Sequence, residues 1–184
     1  MAEPSFRSSA TASLPGRSSP TAATPLLACE VVATEAERCA HFRIRHQVFV
    51  IEQGMFGGSY GGIGGGGGDD TDVHDDDPAT IHVIGRAAET ICGTVRLYPL
   101  GADGRWKGDR LAVLASYRHL GLGAPLVRFA VSAAARLGGR EMEAFIQPAN
   151  VAFFRWLGWE RTGDVVDYAG LPHQRMLIDL TRQT

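Results

Sequence analysis

The 184-residue chain carries 18 basic and 20 acidic side chains, for a net charge of −2, and 45% of its residues are hydrophobic. That balance suits one globular domain plus a tail. It supplies neither the clustered Lys/Arg footprint of a nucleic-acid binder nor an apolar run near the ~20 residues that span a bilayer.

Residues 1–24, rich in Ser, Thr, Ala and Pro, read as a disordered tail, and residues 25–184 as the domain. Arg7 and Arg17 against Glu3 give the tail a faint transit-peptide look, but it lacks a signal peptide's apolar core, and a floppy extension is the plainer reading. Residues 26–33 form an apolar run that predicts a strand. Thr34 and Glu37 then make a T-x-x-E capping box, which predicts a helix from Glu35 to about Gln53. On that helix Arg45 and Glu52, seven apart, share one face with Phe49 between them. Residues 54–68 are mostly glycine and predict a mobile loop, and the glycine run 61–68 lacks the G-K-[ST] ending of a P-loop. Asp69, Asp70, Asp72, Asp75, Asp76 and Asp77, around His74, read as a solvated charge run closed by Pro78.

Residues 81–87 and 90–97 predict a β-hairpin, with a turn at 101–104 and a further strand at 109–114. Leu122, Leu126, Phe129, Ala133 and Leu137 recur at helical spacing, so a helix is expected over 121–137, ended by Gly138 and Gly139. Residues 141–147 alternate as a strand. A short helix over 151–157 follows Asn150 as its cap, and strands are expected near 159–168 and 175–180. The order predicts an α/β fold with a mixed, mostly antiparallel central sheet flanked by helices. Cys29, Cys39 and Cys92 form no C-x-x-C pair, which argues against a metal site or a disulfide framework and for a reducing, cytoplasmic setting.

The informative segment runs from Leu111 to Ala124. A strand enters a glycine-spaced turn, Arg118-His119-Leu120-Gly121-Leu122-Gly123, that opens a helix. A helix N-terminus presents free N–H groups and partial positive charge, glycines let a ligand come close, and Arg118 adds a cation. By itself the segment is equally a glycine-rich turn without a ligand.

The surroundings add a resemblance. R-x-x-G-x-G at a strand-to-helix turn resembles the pyrophosphate motif of GNAT acetyltransferases. Gly93-Thr94-Val95-Arg96-Leu97 is similar to the strand before that family's cofactor strand, and residues 150–159, N-V-A-F-F-R-W-L-G-W, are similar to its second cofactor motif. Arg45-His46-Gln47-Val48-Phe49-Val50-Ile51-Glu52-Gln53 resembles a helix of the ElaA-like branch, itself similar to acyl-homoserine-lactone synthases. Leu157-Gly158-Trp159 and Pro172-His173 resemble a subgroup encoded beside nitrilase genes.

The resemblance implies an acetyl-CoA-dependent N-acetyltransferase acting on a small-molecule amine, and a homodimer is compatible with it. Main-chain groups of Leu111, Ala112 and Val113 would meet the pantetheine arm, with the Val113 N–H on the thioester carbonyl. Arg118, His119, Leu120, Gly121, Leu122, Gly123 and Ala124 would hold the diphosphate, and Asn150 and Phe154 would lie near the thiol end. Many relatives carry at the place of Phe154 a Tyr that protonates the departing thiolate. Phe cannot, which leaves Tyr117, Tyr168 or water. An ammonium with pKa near 10 needs a base. Glu52, His82 and His173 are candidates. Glu52 is equally a salt-bridge partner of Arg45 or Arg96, His82 a core histidine, and His173 a loop residue. Asp109 is a weaker candidate that reads as a turn residue. Two alternatives stay open: transfer of a longer acyl chain, and a CoA-binding module without catalysis.

Overall fold

The computed structural model describes residues 25–56 and 70–182, so the expected tail and most of the glycine-rich loop lie outside the described residues. Strand β1 (Leu27–Val31) leads into α1 (Glu35–Arg45). The capping box forms: the Glu37 amide donates to Thr34 Oγ1 at 3.2 Å, and the Thr34 amide donates to the Glu37 carboxylate at 3.1 Å. The chain stays helical beyond α1 but widens into a π-helix over His46–Glu52. Bonds from i to i+5 place more residues in each turn. Arg45 and Glu52 therefore part: Arg45 is fully buried, and Glu52 reaches solvent.

The remaining strands are β2 (Ile81–Ala87), β3 (Thr90–Pro99), β4 (Arg105–Val113), β5 (Glu141–Ile146), β6 (Glu160–Tyr168) and β7 (Leu171–Asp179). They form one sheet in the order β1-β2-β3-β4-β5-β7-β6, antiparallel except between β4 and β5. Two strands begin earlier than expected. β4 starts at Arg105 because Trp106 and Gly108 alternate inward beneath a polar-looking sequence. β7 starts at Leu171 and takes in Pro172; β5 meets β7 only from Gln174 onward, so the missing N–H of Pro172 disturbs no ladder on that side.

Helix α2 (Gly123–Arg136) packs Leu126, Val127, Ala130, Val131 and Ala134 on the sheet. Burying a leucine of this kind contributes roughly 1.5–3 kcal/mol. A Cβ at Gly93 would stand 2.8 Å from Leu126 and 2.9 Å from Leu122, so glycine lets helix and sheet meet. Helix α3 (Val151–Trp156) follows a 3-10 turn, Pro148–Asn150, on the same side. Asn150 takes the expected N-cap position, but with φ −100° and ψ −6° its side chain makes no capping hydrogen bond. No helix among the described residues is long and apolar enough to cross a membrane.

The opposite face holds α1 and the acidic segment. That segment is a solvated run only in part: Asp76 and Asp77 are exposed and Asp69 lies outside the described residues, but Asp70 and Asp75 are buried. Arg45 pairs with both at 2.6 Å, while Arg96 pairs with Asp72 at 2.8 Å and with Asp75 and Asp109 at 2.7 Å. Arginines from α1, β3 and β4 fold the aspartates inward, where a carboxylate without a partner would be too costly to desolvate. Nearby, His41 lies fully buried and edge-on to His82, ring centres 4.9 Å apart.

Burial, and then the Arg45 charge, push the His41 pKa down to about 3. Its unfolded value is near 6.5, so its contribution to stability is present above about pH 6.5 and is lost as pH falls toward 3. Each pH unit in that window removes up to about 1.4 kcal/mol. His41→Leu is therefore expected to flatten the fall in melting temperature between pH 6.5 and 4. Melting curves at stepped pH check this, and an unchanged slope would count against a buried neutral imidazole.

Candidate active site

Strands β4 and β5 pair for only three residues each, from Arg105↔Glu141 to Lys107↔Glu143. Beyond that point they separate, and a cavity opens in the wedge. Counting its open mouth, the space amounts to about 890 Å³. Its walls include Lys107–Leu111 of β4, Ala144–Ile146 of β5, Phe154, Trp159, Tyr168 and His173.

A bulge bends β4 at the wedge. Thr94 faces Ala112 and Arg96 faces Asp109, which leaves Arg110 and Leu111 together opposite Val95. Arg110 has φ +52°, a left-handed conformation that costs a non-glycine residue about 1 kcal/mol or more. Its guanidinium offsets that cost by donating from Nε and Nη2 to the Asp70 carbonyl at 3.2 and 3.0 Å and pairing with Asp72 at 3.0 Å. The bulge also breaks side-chain alternation, so the neighbours Asp109 and Arg110 both reach the buried charge network. Asp109 is thus a mid-strand partner of Arg96, not a turn residue. Beyond the bulge the Leu114 amide donates to Cys92 on β3 at 2.9 Å. By alternation the Val113 N–H faces the other edge, the one β5 leaves unpaired.

The glycine turn is more elaborate than a strand running directly into a helix. A 3-10 segment, Ala115–Leu120, intervenes, and α2 begins at Gly123. Gly121 has φ +76°, and nothing lies within 4 Å of a Cβ built on it, while the nearest atom to one on Gly123 is Phe153 Cζ at 3.6 Å. Pro125 falls in the first helical turn, where a missing N–H costs nothing. The turn is open and lined by first-turn amides, which fits a diphosphate. Arg118 lies beside it and holds Glu52 at 2.6 Å. That hydrogen bond keeps the Glu52 carboxyl below its ordinary range, and Glu52 is not on the cavity wall. The expected partners Arg45 and Arg96 are taken by the aspartates.

His82 Nε2 donates to the Asp75 carbonyl at 3.2 Å, and burial lowers its pKa; it lies in the α1-side core, off the cavity wall. His173 does line the cavity, and its Nδ1 is 2.9 Å from the Leu171 carbonyl. A carbonyl only accepts, so Nδ1 carries a proton, and in the neutral ring Nε2 is then the acceptor. Tyr168 lines the cavity and Tyr117 does not; Asn150 and Phe154 also line it, Phe154 edge-on to Trp159 at 5.4 Å.

The model of the acetyltransferase (GNAT) family matches residues 62–159. The chain belongs to the GNAT family. It is an acyltransferase, with that family's mixed sheet and flanking helices. Solved structures share the fold. A Lactobacillus plantarum protein provisionally assigned as an N-acetyltransferase is 24% identical, with TM-score 0.69, covering 84% of this chain and 98% of its own. Escherichia coli ElaA is 18% identical, with TM-score 0.68, covering 83% and 99%. FeeM, an N-acyl amino acid synthase from uncultured soil microbes, is 16% identical, with TM-score 0.68, covering 87% and 94%. A search of curated proteins found no match.

In this GNAT chain the family match ends at Trp159, before Tyr168 and His173, so part of the wedge wall lies beyond the recognised motifs. Sequence reasoning missed Lys107, Phe145 and Arg110, which share that wall. The one signal was alternation through Trp106 and Gly108, which would have extended β4 back to Lys107.

Proposed function

We propose that this acyltransferase passes an acetyl group from acetyl-CoA directly to an amine. The carrying observation is His173 on the wall of the wedge, its Nδ1 bound to the Leu171 carbonyl so that Nε2 is the nitrogen left to exchange a proton. His173 takes the proton that the ammonium must lose as its nitrogen bonds to the thioester carbonyl carbon. The Val113 N–H, on the unpaired edge, meets the carbonyl oxygen as it gains charge. The carbon–sulfur bond then breaks and the thiolate leaves. Phe154 offers it no proton, and Tyr168 is the phenol on the cavity wall that does. Residues 118–124 and Asn150 hold the donor. A thiol intermediate has little support: burial raises the Cys92 pKa, and burial together with Cys92 raises that of Cys29 to about 11.

One observation favours a longer acyl chain as a second reading. The cavity lining includes Val127, Ala130, Met142 and Trp159, apolar surface of the kind a longer acyl chain would bury.

One experiment addresses donor site and chain length together. Saturating acetyl-CoA is expected to raise the melting temperature by about 5–10 °C, because it binds only the folded chain. Gly123→Val, which has space for its side chain at the helix N-terminus, should abolish the shift while keeping the fold. Butyryl- and hexanoyl-CoA, compared by thiol release with a panel of amines, decide the chain length. Normal CoA binding by Gly123→Val would reject the diphosphate assignment.

A further inference from the structure

We infer that the acceptor amine also carries a carboxylate, which Lys107 recognises across the Tyr168 ring; this rests on the acyl-transfer reading of the wedge. Four charged or titratable groups besides Tyr168 line the cavity: Lys107, Asp109, Arg110 and His173. Three already have polar partners. Asp109 accepts from Arg96 through both oxygens, at 2.8 and 2.7 Å. Arg110 is held by the Asp70 carbonyl and by Asp72. His173 is oriented by Leu171.

Lys107 differs. Its ammonium sits 4.7 Å from the Phe145 ring centre and 5.4 Å from that of Tyr168. No carboxylate among the described residues lies within 4.0 Å of it. Glu143, its neighbour across the β4–β5 pairing, is occupied by Arg175 at 2.6 Å. Two stacked rings, 5.5 Å apart and nearly parallel, flank the ammonium of a lysine that lines the cavity. A cation held against aromatic faces is partly desolvated, which strengthens its attraction for an anion.

The position is informative as well. His173 packs edge-on to the same Tyr168 ring, centres 5.3 Å apart. An acceptor lying along that ring would therefore be near both the imidazole and the ammonium. The charge count agrees. Arg45, Arg96 and Arg110 face Asp70, Asp72, Asp75 and Asp109, one negative charge in excess. A zwitterion brings a positive amine toward that excess and a carboxylate to Lys107. A polyamine would place one of its cations against Lys107.

The test measures binding apart from turnover. CoA-loaded protein is titrated calorimetrically with the common L-amino acids, with the corresponding amino acid amides, and with spermidine. At least one amino acid should bind about tenfold or more tightly than its amide, the loss expected when a charge-assisted hydrogen bond is removed. Lys107→Met should erase the acid-to-amide ratio, and Lys107→Arg should restore most of it. Amides or spermidine binding as well as every acid would overturn the proposal, as would an unchanged ratio in Lys107→Met. Thiol release with the same pairs separates the two readings. A binding preference for the acids with no transfer to any acceptor supports the carboxylate site and rejects the acyl-transfer reading instead.

Discussion

Replacing His173 by glutamine is expected to lower kcat about a hundredfold or more while leaving acyl-CoA affinity nearly unchanged. Glutamine keeps the ring's approximate bulk and its capacity to hydrogen-bond, but accepts no proton. His173 stands on β7, away from the turn at residues 118–124, so donor binding should not register the change. The defect should shrink toward pH 10, where the amine loses its proton unaided. Steady-state kinetics across pH with one accepted amine, beside an acyl-CoA titration, measure both. Glu52→Gln provides the contrast. It releases Arg118 from its carboxylate partner, so it should alter donor affinity and change kcat by less than about tenfold. A hundredfold loss in Glu52→Gln with a near-normal His173→Gln would transfer the base to Glu52.

Arg96→Met should destabilise the fold by about 3–5 kcal/mol, the usual result of breaking a buried ion pair from one side. Arg96 is fully buried and contacts Asp72, Asp75 and Asp109, so methionine fills its space yet takes a partner from three carboxylates and leaves Asp109 with only Arg110, at 4.0 Å. Urea unfolding measures the loss, and adding Asp109→Asn should recover part of it. A cost below about 1 kcal/mol would mean that water reaches the network and screens it. The pH dependence has a definite sign. Burial raises the Asp75 carboxyl, but hydrogen bonding and charge from Arg45, then Arg96, outweigh it and hold the group well below the ordinary carboxylate range. The same balance, with Arg96 and Arg110 as the cations, lowers Asp72. A depressed folded pKa gives stability that is present above the unfolded value near 3.9 and is lost as pH falls below it. Wild type should therefore lose stability below about pH 4 more steeply than Arg96→Met does.

The amino-acid order by itself determined the succession of elements, the capping box at Thr34 and Glu37, and the glycine turn ahead of α2. Each of these depends on neighbours in sequence: apolar spacing, a capping oxygen three residues from its amide, a glycine where φ is positive. The family was legible for the same reason, because its donor motifs are short and contiguous. Tertiary structure decided the rest. The aspartates of residues 70–75 look solvated until Arg45, Arg96 and Arg110, distant in sequence, pair with them and bury Asp70 and Asp75. The widening of α1 sends Glu52 to Arg118, and no seven-residue spacing foretells a π-helix. The bulge at Arg110 exists only as a register against β3, yet it opens the wedge and turns Asp109 and Arg110 to one side. From the sequence His82 reads as a core histidine and His173 as a loop residue, yet both lie on strands. Only packing buries one behind α1 and turns the other toward the cavity, because the face of a sheet that meets water or a ligand is chosen by what covers it.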